Sequence, residues 1–394
     1  MPSPSEITYF AKTNFRNHKK LFGIKQSDRA FHTYIIGKTG AGKTNLLKTK
    51  ILQDIQNGRG CCLFDIHGDL IEEIQRCLPP EARGNVEFLN IPDKDLKIGY
   101  NPLKRVSYEK RSLITSSILE TFERLSSSKS WGAKLSHILR FILLTLLDQK
   151  QANFSDILRL MRDKEYRKQC VKNVINDDVK EFWQKEFYQY TKFDLVPIYN
   201  KIGGFLAHPA IRRVLIDNKD SLSLRKIMDE KKILLINLSK GAIGSDSAYL
   251  LGSLILSSLM SASFSRIDTP ENDRLPFHIY LDEFQNYTNP SLVNMLSELR
   301  KFRVSLTLAH QYLEQLEPDI RHAVLGNVGT IISFRLGAQD AQHMMKELFQ
   351  EYQPIFNIGD YVNLPNYHIY LKMMIDGKPS KPFSAVTITS EDIK

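Results

Sequence analysis

The chain has 394 residues, 42% apolar and 25% charged, as expected of an ordinary soluble globular protein with one large core and room for a second unit. Its net charge of +10 favours a polyanionic partner. The four cysteines (Cys61, Cys62, Cys77 and Cys170) include no C-x-x-C pair, which argues against a zinc or disulfide framework and for reduced thiols in a cytoplasmic protein.

Residues 1–10 contain no apolar signal core. Over the first fifty residues, ten Lys and Arg stand against only Glu6 and Asp28, giving either a cationic surface or an ordinary solvated face. Phe10, Phe15 and Phe22 lie among these cations. They either stack on single-stranded bases or pack in the core. Phe31 to Ile36 then reads as a buried strand. Directly after it comes Gly37-Lys38-Thr39-Gly40-Ala41-Gly42-Lys43-Thr44, which satisfies G-x-x-x-x-G-K-[ST] at every fixed position. Asn45-Leu46-Leu47 continues as the first turn of a helix. The stretch from Gly37 to Asn45 is therefore the expected phosphate cradle, with loop amides and a helix N-terminus turned toward the anion. Lys43 is expected on the β- and γ-phosphates of ATP, and Thr44 on Mg²⁺.

Cys61 to Ile66 forms the next expected strand. Asp65-Ile66-His67-Gly68-Asp69 follows it. One His and two acids are too few for a metal centre, so this reads as a turn, with Asp69 suited to cap the next helix. Val86 to Leu89 is a further short strand. From about Arg105 to Glu230 the pattern changes to successive amphipathic helices, at 108–125, 133–147, 154–161, 177–190 and 196–205. Strands resume at Ile233 to Leu238. Ser247 to Ser265 is uncharged over a membrane-spanning length, but serines at 253, 257 and 261 give it a small polar face, so it reads as a helix packed within the protein.

His278 to Leu281 is a strand ending in Asp282-Glu283. This is a Walker B pattern, about 240 residues after the glycine-rich loop. Asp282 is expected to hold the Mg²⁺ shell and Glu283 to polarise the attacking water. A helix over 290–301 leads to a strand, Val304 to Leu308, followed by His310 and Gln311. Either residue could sense the γ-phosphate; Gln311 suits the role because an amide both donates and accepts. Arg300 and Arg303 could reach a neighbouring subunit's γ-phosphate or could simply be solvated. Strands at 330–334 and 367–373 follow, and the tail from Met374 reads as loop and then a final strand. The alternation of strands and helices predicts an α/β fold with a mainly parallel sheet. The expected domains are residues 1–104 and 231–394, together forming the sheet domain, and an all-helical insertion at 105–230.

These residues resemble the HerA/FtsK-type P-loop ATPases, and among them the conjugative coupling proteins of the TraD/TraG kind in type IV secretion. The resemblance rests on Thr8-Tyr9-Phe10, Asn14-Phe15-Arg16-Asn17, Asp65-Ile66-His67-Gly68-Asp69-Leu70, Asn101-Pro102-Leu103 and Leu238-Ser239-Lys240-Gly241. It rests also on Asp282-Glu283-Phe284-Gln285-Asn286, Leu308-Ala309-His310-Gln311-Tyr312 and Gly326-Asn327-Val328-Gly329-Thr330. It implies a RecA-like core interrupted by an all-α domain, assembled as a homo-hexamer that moves DNA by hydrolysing ATP. It implies Lys43, Thr44, Asp282 and Glu283 in the roles above, Gln311 as sensor, and Arg300 rather than Arg303 as the finger. Two departures stand out: Ile66 where relatives have Pro, and no transmembrane helix ahead of the motor. Such a chain would either be recruited to the inner membrane by a secretion-channel or relaxosome-like protein partner or act away from the membrane. Two other functions use the same site. One is a type IV secretion assembly ATPase acting on protein cargo; the other is a slow nucleotide switch, against which Glu283 and a finger both argue.

Overall fold

The apolar runs of the sequence become the middle of an eleven-stranded sheet. The computed structural model describes residues 5–16, 18–104, 106–125, 131–218, 220–288, 290–349 and 357–393. Asn17 lies outside them. The strands are β1 (Ile7–Thr13), β2 (Leu21–Lys25), β3 (Thr33–Ile36), β4 (Gly60–Asp65), β5 (Val86–Asn90), β6 (Ile233–Asn237), β7 (Phe277–Leu281), β8 (Val304–His310), β9 (Thr330–Ser333), β10 (His368–Lys372), β11 (Met374–Ile375), β12 (Lys378–Pro379) and β13 (Phe383–Thr387). β11 and β12 form a separate small hairpin, and the large sheet runs β2-β1-β13-β10-β9-β3-β8-β7-β4-β6-β5. The six strands from β9 to β6 in that order are parallel. β10, β13, β1 and β2 extend the sheet antiparallel beyond β9.

Every residue of β3, β4, β7, β8 and β9 is buried. Strands covered on both faces are rich in apolar and β-branched residues, which is why these five were legible. Parallel packing also puts all their carboxyl ends on one edge. Gly37, Asp65, Asp282 and Gln311 therefore emerge side by side, in the crevice where open α/β sheets bind ligands.

The chain divides into two compact units. One comprises Met1–Phe88, Arg225–Asn237 and Ser263–Lys394, and holds the sheet; the other comprises Leu89–Leu224 and Leu238–Ala262. The second unit is built from helices, among them Tyr108–Leu125, Ala133–Leu147, Ser155–Arg162, Lys164–Lys172 and Lys192–Leu206. Phe141 stacks on Phe182 with ring centroids 4.4 Å apart. Trp183 donates to Thr145 Oγ1 at 2.6 Å, and the buried Arg111–Asp148 pair neutralises two charges.

Among the described residues, the one helix long and apolar enough to cross a membrane is Ser245–Asp268, and 72% of its apolar window is buried in the protein. Ser253 and Ser257 are themselves buried. The expected packed helix is what the fold contains.

In the sheet unit, Phe10 is buried and Phe22 packs edge-on against it at 5.4 Å. Both belong to the core, so the base-stacking reading fails for them. Phe15 alone of the three is exposed, with Arg16 over its ring at 5.0 Å. The basic run is not all surface either. Arg29 is buried in a bidentate pair with Asp54 at 2.6 and 2.8 Å, and Tyr280 donates to the same carboxylate at 2.6 Å. Arg59 joins them at 3.4 Å. Lys50 is buried beside this cluster; desolvation and then Arg29 bring its pKa down to about 7.

Candidate nucleotide site

The phosphate cradle begins where β3 stops. Ile36 lies between His310 of β8 and Ser333 of β9, so the loop leaves the sheet at its middle. Gly37 N–H donates to His310 O at 3.3 Å, and Lys38 N–H to Arg335 O at 2.9 Å. The glycines are sterically required. A Cβ on Gly37 would meet Phe334 Cβ at 2.5 Å, and Gly42, at φ 122°, has Tyr367 and Phe334 at 3.0 and 3.1 Å from its missing Cβ. The helix Lys43–Gln56 starts directly after it, presenting its free N–H groups to the loop.

Lys43 is buried, and Nζ donates to Gly37 O at 2.6 Å and Lys38 O at 3.3 Å. Burial lowers its pKa, while Glu283 and Asp282 pull the other way. Thr44 is exposed at the mouth, as are Lys38, Thr39 and Gly40. Asn45 is tied back, its Nδ2 donating to Ile388 O at 3.0 Å.

Asp282 follows β7, with its N–H donating to Phe64 O at 3.2 Å. Burial, then Glu283, then Asp65 push its pKa up to about 7. Glu283 stands in the left-handed region at φ 49°, an uncommon conformation for a side chain of this size. Its two carboxylate oxygens are each held by an amide: Gln311 Nε2 donates to Oε1 at 3.0 Å, and Gln285 Nε2 to Oε2 at 2.7 Å. Gln311 is in turn fixed by its own N–H, which donates to Gln315 Oε1 at 3.1 Å. Gln285 has no role that its sequence context assigns. Its place two residues after the glutamate was the signal available.

His310 sits differently. It is fully buried, its Nε2 faces Tyr34 OH at 2.5 Å, and desolvation lowers its pKa to about 3. It is a neutral core residue. Asp65 likewise serves the fold: Oδ1 accepts from His67 N and Gly68 N at 2.9 Å, and Oδ2 from Ile71 N at 3.0 Å. The carboxylate that caps the helix Asp69–Cys77 is thus Asp65 rather than the expected Asp69, because Asp69 is already its first residue. Among the described residues, no group of three or more His, Cys, Asp and Glu could hold a metal ion.

Arg300 and Arg303 precede β8, so they occupy the sheet edge opposite the phosphate cradle. Arg303 takes φ 54° and its Nη1 donates to Arg274 O at 3.4 Å. Arg300 is exposed, with its guanidinium 3.7 Å from the Phe31 ring centroid.

The residues at the carboxyl edge fit a nucleotide with a divalent cation. Lys43 rests on its own loop's carbonyls, a place an anion can take from it. Asp282 and Glu283 are buried with Asp65 nearby, and their mutual repulsion is of the kind a hard cation relieves. A G-x-x-x-x-G-K-[ST] loop after β3, with the Walker B strand two places away across β8, defines a RecA-like P-loop NTPase.

The comparisons agree. Residues 18–353 match the family described as the type IV secretion-system coupling protein DNA-binding domain, and the chain belongs to that family. The structure of the bacterial conjugative coupling protein TrwBdeltaN70 superposes with a TM-score of 0.69 at 14% identity, covering 96% of this chain and 89% of that one. TrwB bound to a non-hydrolysable ATP analogue gives 0.68 at 12% identity, over 99% and 96%. VirB4 of Thermoanaerobacter pseudethanolicus gives 0.61 at 13%, over 99% and 97%. At such identities the likeness establishes the fold. None of the curated proteins matches the chain by sequence.

Proposed function

We propose that the protein is an ATP-hydrolysing DNA translocase of the conjugative coupling kind. The observation that carries hydrolysis is the clasp on Glu283. Gln285 and Gln311 hold both oxygens of this carboxylate, beside Asp282 and across from Lys43. A general base works only when it is oriented, and a slow nucleotide switch has no use for one. Lys43 binds the β- and γ-phosphates of ATP, and the amides from Gly37 to Asn45 cradle them. Thr44 and Asp282 hold Mg²⁺, which neutralises phosphate charge when bound. Glu283 takes the proton of the attacking water, and Gln311 links that carboxylate to the γ-phosphate.

Arg300 lies on the edge opposite its own cradle, so it suits a neighbour's site in a ring of six. Family membership and the +10 charge support DNA as the track, gripped through its phosphates. Residues 105–230 are read as the insertion of the motor, and a secretion-channel or relaxosome-like protein as its membrane recruiter.

Steady-state ATP hydrolysis with and without single- and double-stranded DNA tests the reading, with Glu283→Gln as control. Stimulation by DNA that Glu283→Gln abolishes supports the motor. Hydrolysis indifferent to DNA would overturn it in favour of an assembly ATPase acting on protein cargo. Mixing Arg300→Ala with Lys43→Ala protein should restore part of the activity that each lacks, and no restoration would count against a finger acting in trans.

A further inference from the structure

A P-loop recognises phosphates, and none of its contacts distinguishes a nucleotide from inorganic polyphosphate. Something else must hold the base. The direction in which a nucleotide lies is set by the fold. Asp282, Glu283 and Gln311 collect the γ end on the β7 and β8 side of the cradle. The nucleoside must therefore leave on the other side of β3, toward β9, β10 and β13.

On that side stands Tyr367, immediately before β10. Because β10 is antiparallel to β9, its first residue lies at the same sheet edge as the cradle. Tyr367 is 47% exposed, unusual for an aromatic side chain set against a core loop. It is nonetheless held firmly at its main chain. Its N–H donates to Ala41 O at 2.8 Å, inside the cradle. Its carbonyl accepts from Thr387 N at 2.8 Å and Thr387 Oγ1 at 3.1 Å. The backbone is in the left-handed region, φ 68°, where an aromatic residue is out of place unless its surroundings impose it. The ring edge abuts Gly42: Cδ1 lies 3.0 Å from where a Cβ would stand. A fixed, half-exposed aromatic face thus borders the phosphate loop on its nucleoside side.

We propose that Tyr367 is the base platform of the site, its ring stacking on the base of the nucleotide whose phosphates occupy Gly37 to Thr44. Such a platform tolerates any base, because every base has a π-face. It supplies affinity for nucleotides over free polyphosphate rather than choice between adenine and guanine. The proposal rests on the nucleotide-binding reading above.

Calorimetric titration with ADP and with inorganic pyrophosphate, both in Mg²⁺, tests it without turnover. Tyr367→Asn removes the ring with a residue that tolerates positive φ, and Tyr367→Phe keeps the ring. The wild type should bind ADP more tightly than pyrophosphate. Tyr367→Asn should weaken ADP about 5- to 150-fold and leave pyrophosphate unchanged, a range set by base–aromatic stacking. Tyr367→Phe should behave as wild type. If Tyr367→Asn weakens both ligands equally, Tyr367 merely shapes the loop and the proposal fails. An unchanged ADP affinity also overturns it. Wild type that binds neither ligand would remove the nucleotide reading itself, and the platform with it.

Discussion

Replacing Asp282 by Asn should make the ligand-free protein more stable above neutral pH. Burial and the neighbouring carboxylates raise the Asp282 pKa from 3.8 to about 7 in the fold. With about 1.4 kcal/mol for each tenfold change in proton affinity, keeping this group ionised costs the folded state about 4 kcal/mol. Relaxation around the site brings the expected gain to about 2–4 kcal/mol. The sign follows from the folded pKa lying above the unfolded one. Below about pH 4 the group is neutral in both states and carries no penalty; the penalty grows as pH rises and is complete above about pH 7. Asn keeps an oxygen for the Glu283 N–H, which Asp282 Oδ1 accepts at 3.1 Å. Denaturant titrations without nucleotide or divalent cation, at pH 5 and pH 8, measure the effect. The gain should be two- to threefold larger at pH 8 by the same linkage. A variant less stable than wild type at pH 8, or a gain independent of pH, would refute the reasoning. The same substitution should abolish Mg²⁺-dependent hydrolysis, since the group that burdens the empty fold is the one meant for the cation.

Other substitutions separate catalysis from packing. Gln285→Ala frees one oxygen of Glu283 and should lower kcat by about tenfold with KM little changed, as expected when a base loses its orientation; an unaltered kcat would mean that Gln311 alone suffices. Asp54→Ala leaves Arg29 and Arg59 buried without their shared carboxylate and should cost about 3–5 kcal/mol in guanidinium unfolding. Lys50→Met should have the opposite effect. The Lys50 pKa falls from 10.5 to about 7 on folding, so its charge penalises the fold fully below pH 7 and progressively less toward pH 10.5. A gain of about 3–5 kcal/mol at pH 7 that fades at high pH is expected, and a uniform gain would point to better packing instead.

Much of this was legible because buried parallel strands and phosphate loops leave local marks. β3, β4, β7, β8 and β9 are short runs rich in apolar and β-branched residues, and Gly37 and Gly42 are demanded by close approach. What stayed hidden depends on contacts distant in sequence. β1 and β2 were not anticipated: β1 carries a bulge between Tyr9 and Ala11, which breaks its alternation, and its basic surroundings looked like surface. Whether Phe10 and Phe22 stack on bases or fill a core could not be read from their neighbours, because Phe383 completes their cluster from the far end of the chain. His310 and Gln311 were rivals in sequence. One residue of strand register separates them, turning His310 inward to Tyr34 and Gln311 outward to Glu283.

The walls of the phosphate cradle are made late. Phe334 backs Gly37, Tyr367 bonds Ala41, and Ile388 accepts from both Asn45 and Thr49. Nearly the whole polypeptide thus separates the loop from the residues that shape it, and β1 waits for β13 before its second edge is paired. During synthesis the G-x-x-x-x-G-K-T segment emerges early, and the last residue that holds it, Ile388, follows some 340 residues later. Its closure is a long-range event of the kind that slows folding far more than it alters stability. A shortened copy of this chain that stops before Tyr367 would keep the whole motif and lose two of the residues that hold its cradle, Tyr367 and Ile388.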